Sequence, residues 1–407
     1  MDLAANLSLG WQVAAAAGRI GSDRVAAALG RGLPTTPEAL VRPDVIDQIL
    51  RVGAPEGATP LPRVTAVRLP GVEFESSNCR NFLVQLEFGD EPARPDLPAT
   101  AYVKMPCRSL ATRVFANALG FWALECTFCR TLAHRVPIRV PRVHAVVQRG
   151  ARFVLVLEDL SAIPGVRLFA NRDMAAGTTP ECAARALTVL AQLHAGFWDW
   201  SAAKRESLLP LALHPFLPPR RRAVSRALLA AAIGPCRTRA PDAFPAYLAA
   251  LCRRALARWD ALIASWYAGP LTLVHGDSHL GNVFETAGPA GLQMGMLDFQ
   301  AVHWSKGVRD VQYFLINSLA PDVLARHESS LIDHYTAELG RHGIALDPER
   351  ARDDYRALSF QTFLTAAVSY GLGGLVERES VVKTVLERSA AALERLRFAD
   401  WLDALPA

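Results

Sequence analysis

A change of hydrophobic period along the chain does most to limit what it can fold into. Between residues 62 and 105, Val64-Thr-Ala-Val-Arg-Leu69, Asn81-Phe-Leu-Val-Gln-Leu-Glu-Phe88 and Thr100-Ala-Tyr-Val-Lys-Met105 read with a period of two. Gly/Pro/Asp loops part them, which predicts the strands of an antiparallel sheet. Ala151-Arg-Phe-Val-Leu-Val-Leu157 adds one more β-rich run. After it the apolar spacing turns to 3.6 and stays there, over 179–200, 245–267, 321–340, 347–371 and 377–405. Strands followed by helices mean an α+β chain. Its expected division is a helical extension over 1–61, a sheet lobe over 62–160 and a helical lobe over 161–407. At 407 residues the chain is long for one core and comfortable for two. With 51% of its residues apolar it buries enough surface to fold.

Charge and cysteine content narrow the function classes. The 44 basic and 39 acidic residues leave a net +5 with no long block of one sign, so no nucleic-acid partner is expected. Seven cysteines are scattered without a disulfide pattern, and residues 1–30 lack the head and apolar run of a signal peptide. No window reaches the ~18 apolar residues of a membrane span. These features predict reduced thiols, no membrane and a cytoplasmic location. Cys126 and Cys129 form a C-x-x-C inside an apolar helix-like run with no second ligand pair, so they read as packing residues.

The chemistry concentrates in residues 273–317, which read LVHGDSHLGNVF, a short polar turn, then GMLDFQAVHWSKGVRDVQYFLIN. Two apolar runs, Leu271-Thr-Leu-Val274 and Met294-Gly-Met-Leu297, precede the aspartates Asp277 and Asp298, and Asn282 follows the first of these. Mg²⁺ takes hard oxygen ligands and usually one or two carboxylates beside the phosphates of its substrate. Asp, four residues, Asn, then Asp-Phe-x is the spacing of a kinase catalytic apparatus. There the first Asp receives the hydroxyl proton and the Asn and second Asp hold metal.

Upstream residues extend the pattern. Lys104 sits among apolar residues of a predicted strand and needs an anionic partner there. Glu125, on a helix predicted over 110–134, supplies one, and such a pair aims a lysine at the phosphates of ATP. No G-x-G-x-x-G covers the phosphates; the turn holding Ser76, Ser77 and Asn78 offers backbone amides and hydroxyls instead. Glu158, Asp159 and Leu160 close the last β-rich run, where free backbone groups would meet an adenine edge. His194 shares a helical spacing with apolar residues and reads as packing.

His275-Gly-Asp-Ser-His-Leu-Gly-Asn282 followed by Leu297-Asp-Phe-Gln300 resembles the aminoglycoside phosphotransferase and choline kinase group, and most of all its ecdysteroid-kinase-like branch. Leu190-Ala-Gln-Leu-His-Ala-Gly-Phe-Trp198 and Arg309-Asp-Val-Gln-Tyr-Phe-Leu315 are similar to further pieces of that branch, and the resemblance spans about residues 62–375. It implies a bilobal protein-kinase-like fold with a glutamate-bearing helix in the smaller lobe, ATP and Mg²⁺ as cofactors, and a small-molecule alcohol as acceptor. By position, Asp277 is then the catalytic base, Asn282 and Asp298 the metal ligands, and Lys104 and Glu125 the phosphate-holding pair. Asp310 braces the catalytic loop. Gln300 stands where protein kinases have the glycine of D-F-G, which argues against an activation switch of their kind.

Two expectations concern the acceptor and the alternatives. Phe197, Trp198, Trp266, Tyr267, Trp304, Tyr313, Phe360, Phe363 and Tyr370 favour an apolar or mixed alcohol, such as a steroid-like or hydroxyacyl compound, over a polycationic sugar, with choline-like and aminoglycoside-like alcohols kept within the acceptor class. Asp353 and Asp354 are the carboxylates that a polycation would use. The competing readings are a silent pseudokinase that binds nucleotide or a partner, a protein kinase, and a metal hydrolase built on His275, Asp277 and His279.

Overall fold

The period-two stretches form one antiparallel sheet of β1 (Val64–Arg68), β2 (Glu73–Glu75), β3 (Cys79–Phe88), β4 (Thr100–Pro106), β5 (Val143–Arg149) and β6 (Arg152–Glu158). Its order is β1-β3-β4-β6-β5, with β2 paired to β3. The computed structural model describes residues 3–59, 61–71, 73–75, 78–89, 97–210, 221–288, 291–373 and 379–406. Within them the chain forms two units, one of residues 10–135 and 140–166 and the other built chiefly on 167–407.

In the sheet unit β4 is central, so Lys104 lies opposite Asn81 of β3 on one side and Leu155 of β6 on the other. The sequence reading passed over β5, which starts just after Pro141 and returns into β6 through a two-residue turn. Residues 10–61, set apart above as an extension, pack into this unit. The helix α3 (Pro43–Val52) follows α1 (Leu3–Ala28) and α2 (Pro37–Leu40). It buries Ile46, Ile49 and Leu50 in one cluster with Val64, Phe82, Val103 and Val154. A sheet with one apolar face needs such a cover, and its nearest amphipathic neighbour in the chain provides it. The helix expected over 110–134 is two, α4 (Leu110–Leu119) and α5 (Phe121–Thr131). Gly120, at φ +85°, caps α4 in the left-handed conformation that suits glycine and re-aims the chain into α5.

The second unit is mostly helical. After the short strand β7 (Arg167–Leu168) come α6 (Asn171–Ala176), α7 (Pro180–Ala195), α8 (Ala202–Leu208), α9 (Arg222–Arg239), α10 (Ala246–Ala257) and α11 (Trp259–Tyr267). Thr179 caps α7 by accepting the Cys182 N–H at 3.3 Å, with Pro180 at the first helical position. The strands β8 (Thr272–Val274), β9 (Val283–Gly288), β10 (Gly291–Met296) and β11 (His303–Ser305) then form a hairpin and a two-stranded ribbon. The helices α12 (Val308–Ser318), α13 (Pro321–Arg341), α14 (Pro348–Leu372), α15 (Glu379–Arg395) and α16 (Phe398–Asp403) close the unit. Every residue of α12 is buried, the charged Arg309 and Asp310 included. This is the α+β organisation that the change of period predicts.

Among the described residues no helix is long and apolar enough to cross a membrane. All seven cysteines are buried as free thiols, and burial pushes the Cys126 thiol far above its ordinary range, which makes it inert.

Candidate active site

The site grows from the β9–β10 hairpin. Its register sets Met296 opposite Val283, so the residues just outside, Asn282 and Leu297, meet, and the Leu297 N–H donates to the Asn282 carbonyl at 3.0 Å. Asn282 and Asp298 are sixteen residues apart in sequence, and that one hydrogen bond ties Asn282 to the residue just before Asp298. Asp298 takes φ +64°, a left-handed conformation that costs an L-residue about 1 kcal/mol and that Asp tolerates better than most.

The loop before the hairpin is tied from several sides. Asp277 donates its N–H to His275 Nδ1 at 3.2 Å, so the other ring nitrogen carries the proton and donates to the Leu297 carbonyl at 2.9 Å. Burial pushes the His275 pKa down, which keeps the ring neutral as this pattern requires. The ring also lies against Phe299 with centroids 4.4 Å apart. Gly276 has φ +85°, and a Cβ there would fall 1.9 Å from the Ala301 carbonyl oxygen, so only glycine fits.

Beneath the loop, Asp310 is fully buried and accepts four hydrogen bonds. The N–H groups of His275 (2.6 Å) and Gly276 (3.1 Å), His194 Nε2 (3.3 Å) and Arg309 Nη1 (3.2 Å) supply them. Burial alone would raise this carboxyl, but the donors, His194 first, hold it far below the ordinary carboxylate range. His194 is therefore more than packing: Tyr335 donates its hydroxyl to Nδ1 at 2.8 Å, which turns Nε2–H toward Asp310.

Asp277 is half-buried with both oxygens engaged. Tyr313 donates its hydroxyl to Oδ1 at 3.0 Å, and Asn282 Nδ2 reaches Oδ2 at 3.3 Å and the Asp277 carbonyl at 2.9 Å. Burial favours the neutral acid, yet His279, His275 and the Tyr313 hydroxyl outweigh it, so the carboxyl stays below its usual range. Asp277 is thus a carboxylate. With its nitrogen so used, the Asn282 side chain keeps its oxygen as the acceptor, and Asp298 follows Leu297, the residue bonded to the Asn282 carbonyl. An amide oxygen and a carboxylate are the hard donors that Mg²⁺ accepts, and the donor set fits that ion.

In the other unit Lys104 and Glu125 are both buried, and Lys104 Nζ donates to Glu125 Oε1 at 2.5 Å. Asn78 is buried at the start of β3, where its amide oxygen receives the Cys79 thiol at 2.9 Å; Ser76 and Ser77 lie outside the described residues. Glu158 Oε2 accepts the Arg142 N–H at 2.9 Å. Asp159 caps a turn at Leu160, taking the Ser161 N–H at 3.0 Å and the Thr100 hydroxyl at 2.7 Å. Both carboxylates are therefore spent on shaping the segment.

The structure corrects two premises about the acceptor. Phe197, Trp266, Trp304, Phe360, Phe363 and Tyr370 are buried core, and the indoles of Trp266 and Trp304 donate to the Ala357 and Leu209 carbonyls. Asp354 is buried against Lys306 at 2.6 Å, so its charge is already neutralised. The sequence names Tyr313 only among the aromatic residues of an acceptor wall and gives no role to its hydroxyl, the partner of Asp277. The spacing of three between Asp310 and Tyr313 on a helix was the available signal, since such residues share a face. Arg309 ties the two together, with its guanidinium 4.6 Å from the Tyr313 ring centroid. A metal hydrolase on His275 is excluded, because both ring nitrogens of that residue are occupied.

Residues 138–347, more than half of the chain, match the profile of the ecdysteroid kinase-like family. The matched stretch contains Asp277, Asn282, Asp298 and Asp310 and leaves out Lys104 and Glu125. No curated protein matches the sequence. Among solved structures, the chain is similar to a Ralstonia eutropha protein assigned to the aminoglycoside phosphotransferases, at 14% identity over 88% of this chain and 98% of that one, with a TM-score of 0.49. It is similar also to the ethanolamine kinase of Plasmodium vivax, at 12% identity over 81% and 83% with a TM-score of 0.46. The choline kinase LicA of Streptococcus pneumoniae aligns at 11% identity over 81% and 94%, with a TM-score of 0.43. At such identities these likenesses say nothing of what this chain acts on. The family match and the site geometry agree: the chain belongs to the ecdysteroid kinase-like family, and so to the phosphotransferases that act on hydroxyl groups.

Proposed function

We propose that the chain transfers the γ-phosphoryl group of ATP to a hydroxyl of a small molecule, with Mg²⁺ as the metal. The observation that carries this reading is Asp277, a carboxylate kept charged and oriented by Tyr313 and Asn282. Phosphoryl transfer passes through a loose transition state, so alignment of the acceptor matters more than base strength. Asp277 aligns the acceptor O–H and takes its proton. Asn282 and Asp298 would hold Mg²⁺, which when bound neutralises charge on the phosphate oxygens. Lys104, oriented by Glu125, would bind the α- and β-phosphates, and Ser76, Ser77 and Asn78 are the proposed further phosphate contacts. For the adenine edge we propose the backbone of Glu158, Asp159 and Leu160. The Glu158 N–H and the carbonyls of Asp159 and Leu160 already bond within the unit, which narrows the contact toward the Leu160 N–H.

For the acceptor we propose a small apolar or mixed alcohol. The support is the neutralised Asp354, which removes one of two carboxylates that a polycation would have sought. An ATP-consumption screen over steroid-like, hydroxyacyl, choline-like and aminoglycoside alcohols, with Asp277→Asn as control, tests both parts. Turnover with an uncharged alcohol that vanishes in the control supports the reading. A preference for aminoglycosides overturns the acceptor class. Nucleotide binding without turnover on any alcohol puts a silent, nucleotide-binding chain in its place.

A further inference from the structure

The sheet unit holds a second cluster of charge, which the phosphoryl-transfer reading does not use and on which the inference below does not depend. Arg113, on α4, is 7% exposed, and Arg152, the first residue of β6, is 8% exposed. Nε and Nη2 of Arg113 and Nε of Arg152 have no hydrogen-bond partner among the described residues. The two are brought to one place by Asn117, one turn along α4 from Arg113. Its Nδ2 donates to the Arg113 carbonyl at 2.9 Å and to the carbonyl of Ala151, next to Arg152, at 3.4 Å. The remaining wall is α1, whose Asp23 accepts the Ala151 N–H at 2.7 Å.

The charged side chains that act on this pair are Arg24 and Asp23, with the Cys107 thiol also near Arg113. Three guanidinium groups thus face one carboxylate. A buried guanidinium without a hydrogen-bond partner is costly, and removing one of two like charges is normally the cheaper arrangement. Burial and mutual repulsion both disfavour the charged form of Arg113. A planar fork with unused N–H groups is the side chain best suited to grip a tetrahedral oxyanion.

We propose that Arg113 and Arg152, with Arg24 at the rim, form a binding site for a phosphate dianion on the sheet unit. A dianion balances the surplus of two positive charges, which a single carboxylate ligand would not. Because both arginines are more than nine-tenths buried, the site takes free phosphate in preference to a phosphomonoester, whose substituent would have to leave the protein.

The test is calorimetric titration of the full chain with inorganic phosphate in EDTA, so that no divalent cation holds phosphate elsewhere. The same titration is run on a Lys104→Met/Glu125→Leu protein. One saturable site is expected in both, weakened about tenfold or more in Arg113→Gln and in Arg152→Gln. Arg152→Lys keeps the charge but loses the fork, and is expected to fold and bind phosphate weakly even where the glutamine variants do not fold. The proposal is overturned by absence of saturable binding in the wild type up to about 50 mM phosphate. It is equally overturned by unchanged binding in the arginine variants, or by loss of the site in the Lys104→Met/Glu125→Leu protein. Tighter binding of glycerol 3-phosphate than of phosphate would overturn the assignment to the free anion.

Discussion

The sheet unit and the helical unit bring charge indoors by different means. In the first, Lys104 and Glu125 come from a strand and a helix and meet at 2.5 Å as an ion pair. In the second, Asp310 sits in a net of four donors, two of them backbone N–H groups of the loop it supports. The pair aims one side chain, whereas the net sets the shape of a stretch of backbone. A pair built from two side chains can often be exchanged for apolar residues with little loss of stability, because no backbone group depends on it. A net that satisfies backbone groups cannot be exchanged that way, since any apolar substitute leaves those groups unpaired.

The sharpest way to break this comparison is at the chemistry itself. Asp277→Asn is expected to lower turnover about a thousandfold with little change in melting temperature, as read by ATP consumption and thermal unfolding. Unchanged turnover would take Asp277 out of its role.

Next in size are the two supports. Lys104→Met strands a buried carboxylate and is expected to cost about 3–5 kcal/mol in denaturant unfolding. Lys104→Met/Glu125→Leu should recover most of that stability but none of the activity. A double variant no more stable than the single one would show that the pair is not exchangeable for apolar residues.

Asp310→Asn is expected to cost about 2–3 kcal/mol, with no apolar second substitution that restores it. It carries a pH signature as well. The folded carboxyl lies below its unfolded value of about 3.9, so its contribution is complete above that pH and lost as pH falls further. Wild-type stability should therefore drop more steeply below about pH 4 than that of Asp310→Asn, and parallel curves would remove the net from the account.

The smallest effect tests Tyr313. Tyr313→Phe is expected to reduce kcat by about tenfold and to move the acid limb of kcat/KM upward, because the hydroxyl helps hold the Asp277 carboxyl down. A fall in kcat with the acid limb unmoved would make Tyr313 a packing residue only.

Much of this was legible in residue order. The period-two runs at 64–69, 81–88 and 100–105 became strands because alternation is what a half-buried sheet needs. The helices expected over 179–200 and 347–371 begin where the apolar period does, each behind a side-chain cap, Thr179 and Asp347. Lys104 and Glu125 could be matched because a lone lysine in an apolar strand calls for a carboxylate. Illegible stretches had physical causes as well. The helix α12 buries its charged and polar residues with its apolar ones, which residue order does not announce, and Gly120 splits a run whose apolar spacing continues across it. The aromatic residues after 197 were candidates for an acceptor wall until burial put most of them in the core, and composition cannot tell a wall from a core.

By itself the sequence determined which donors exist and in what order: the carboxylates, the amide, the lysine and the elements that carry them. Tertiary structure alone decided which of those donors are still available. The Asp354 charge is consumed by Lys306, His275 is consumed by its own loop, and Arg113 and Arg152 keep N–H groups without a hydrogen-bond partner among the described residues. The reason is that a charge's partners are chosen by distance in space, at a few ångströms, while sequence records only distance along the chain.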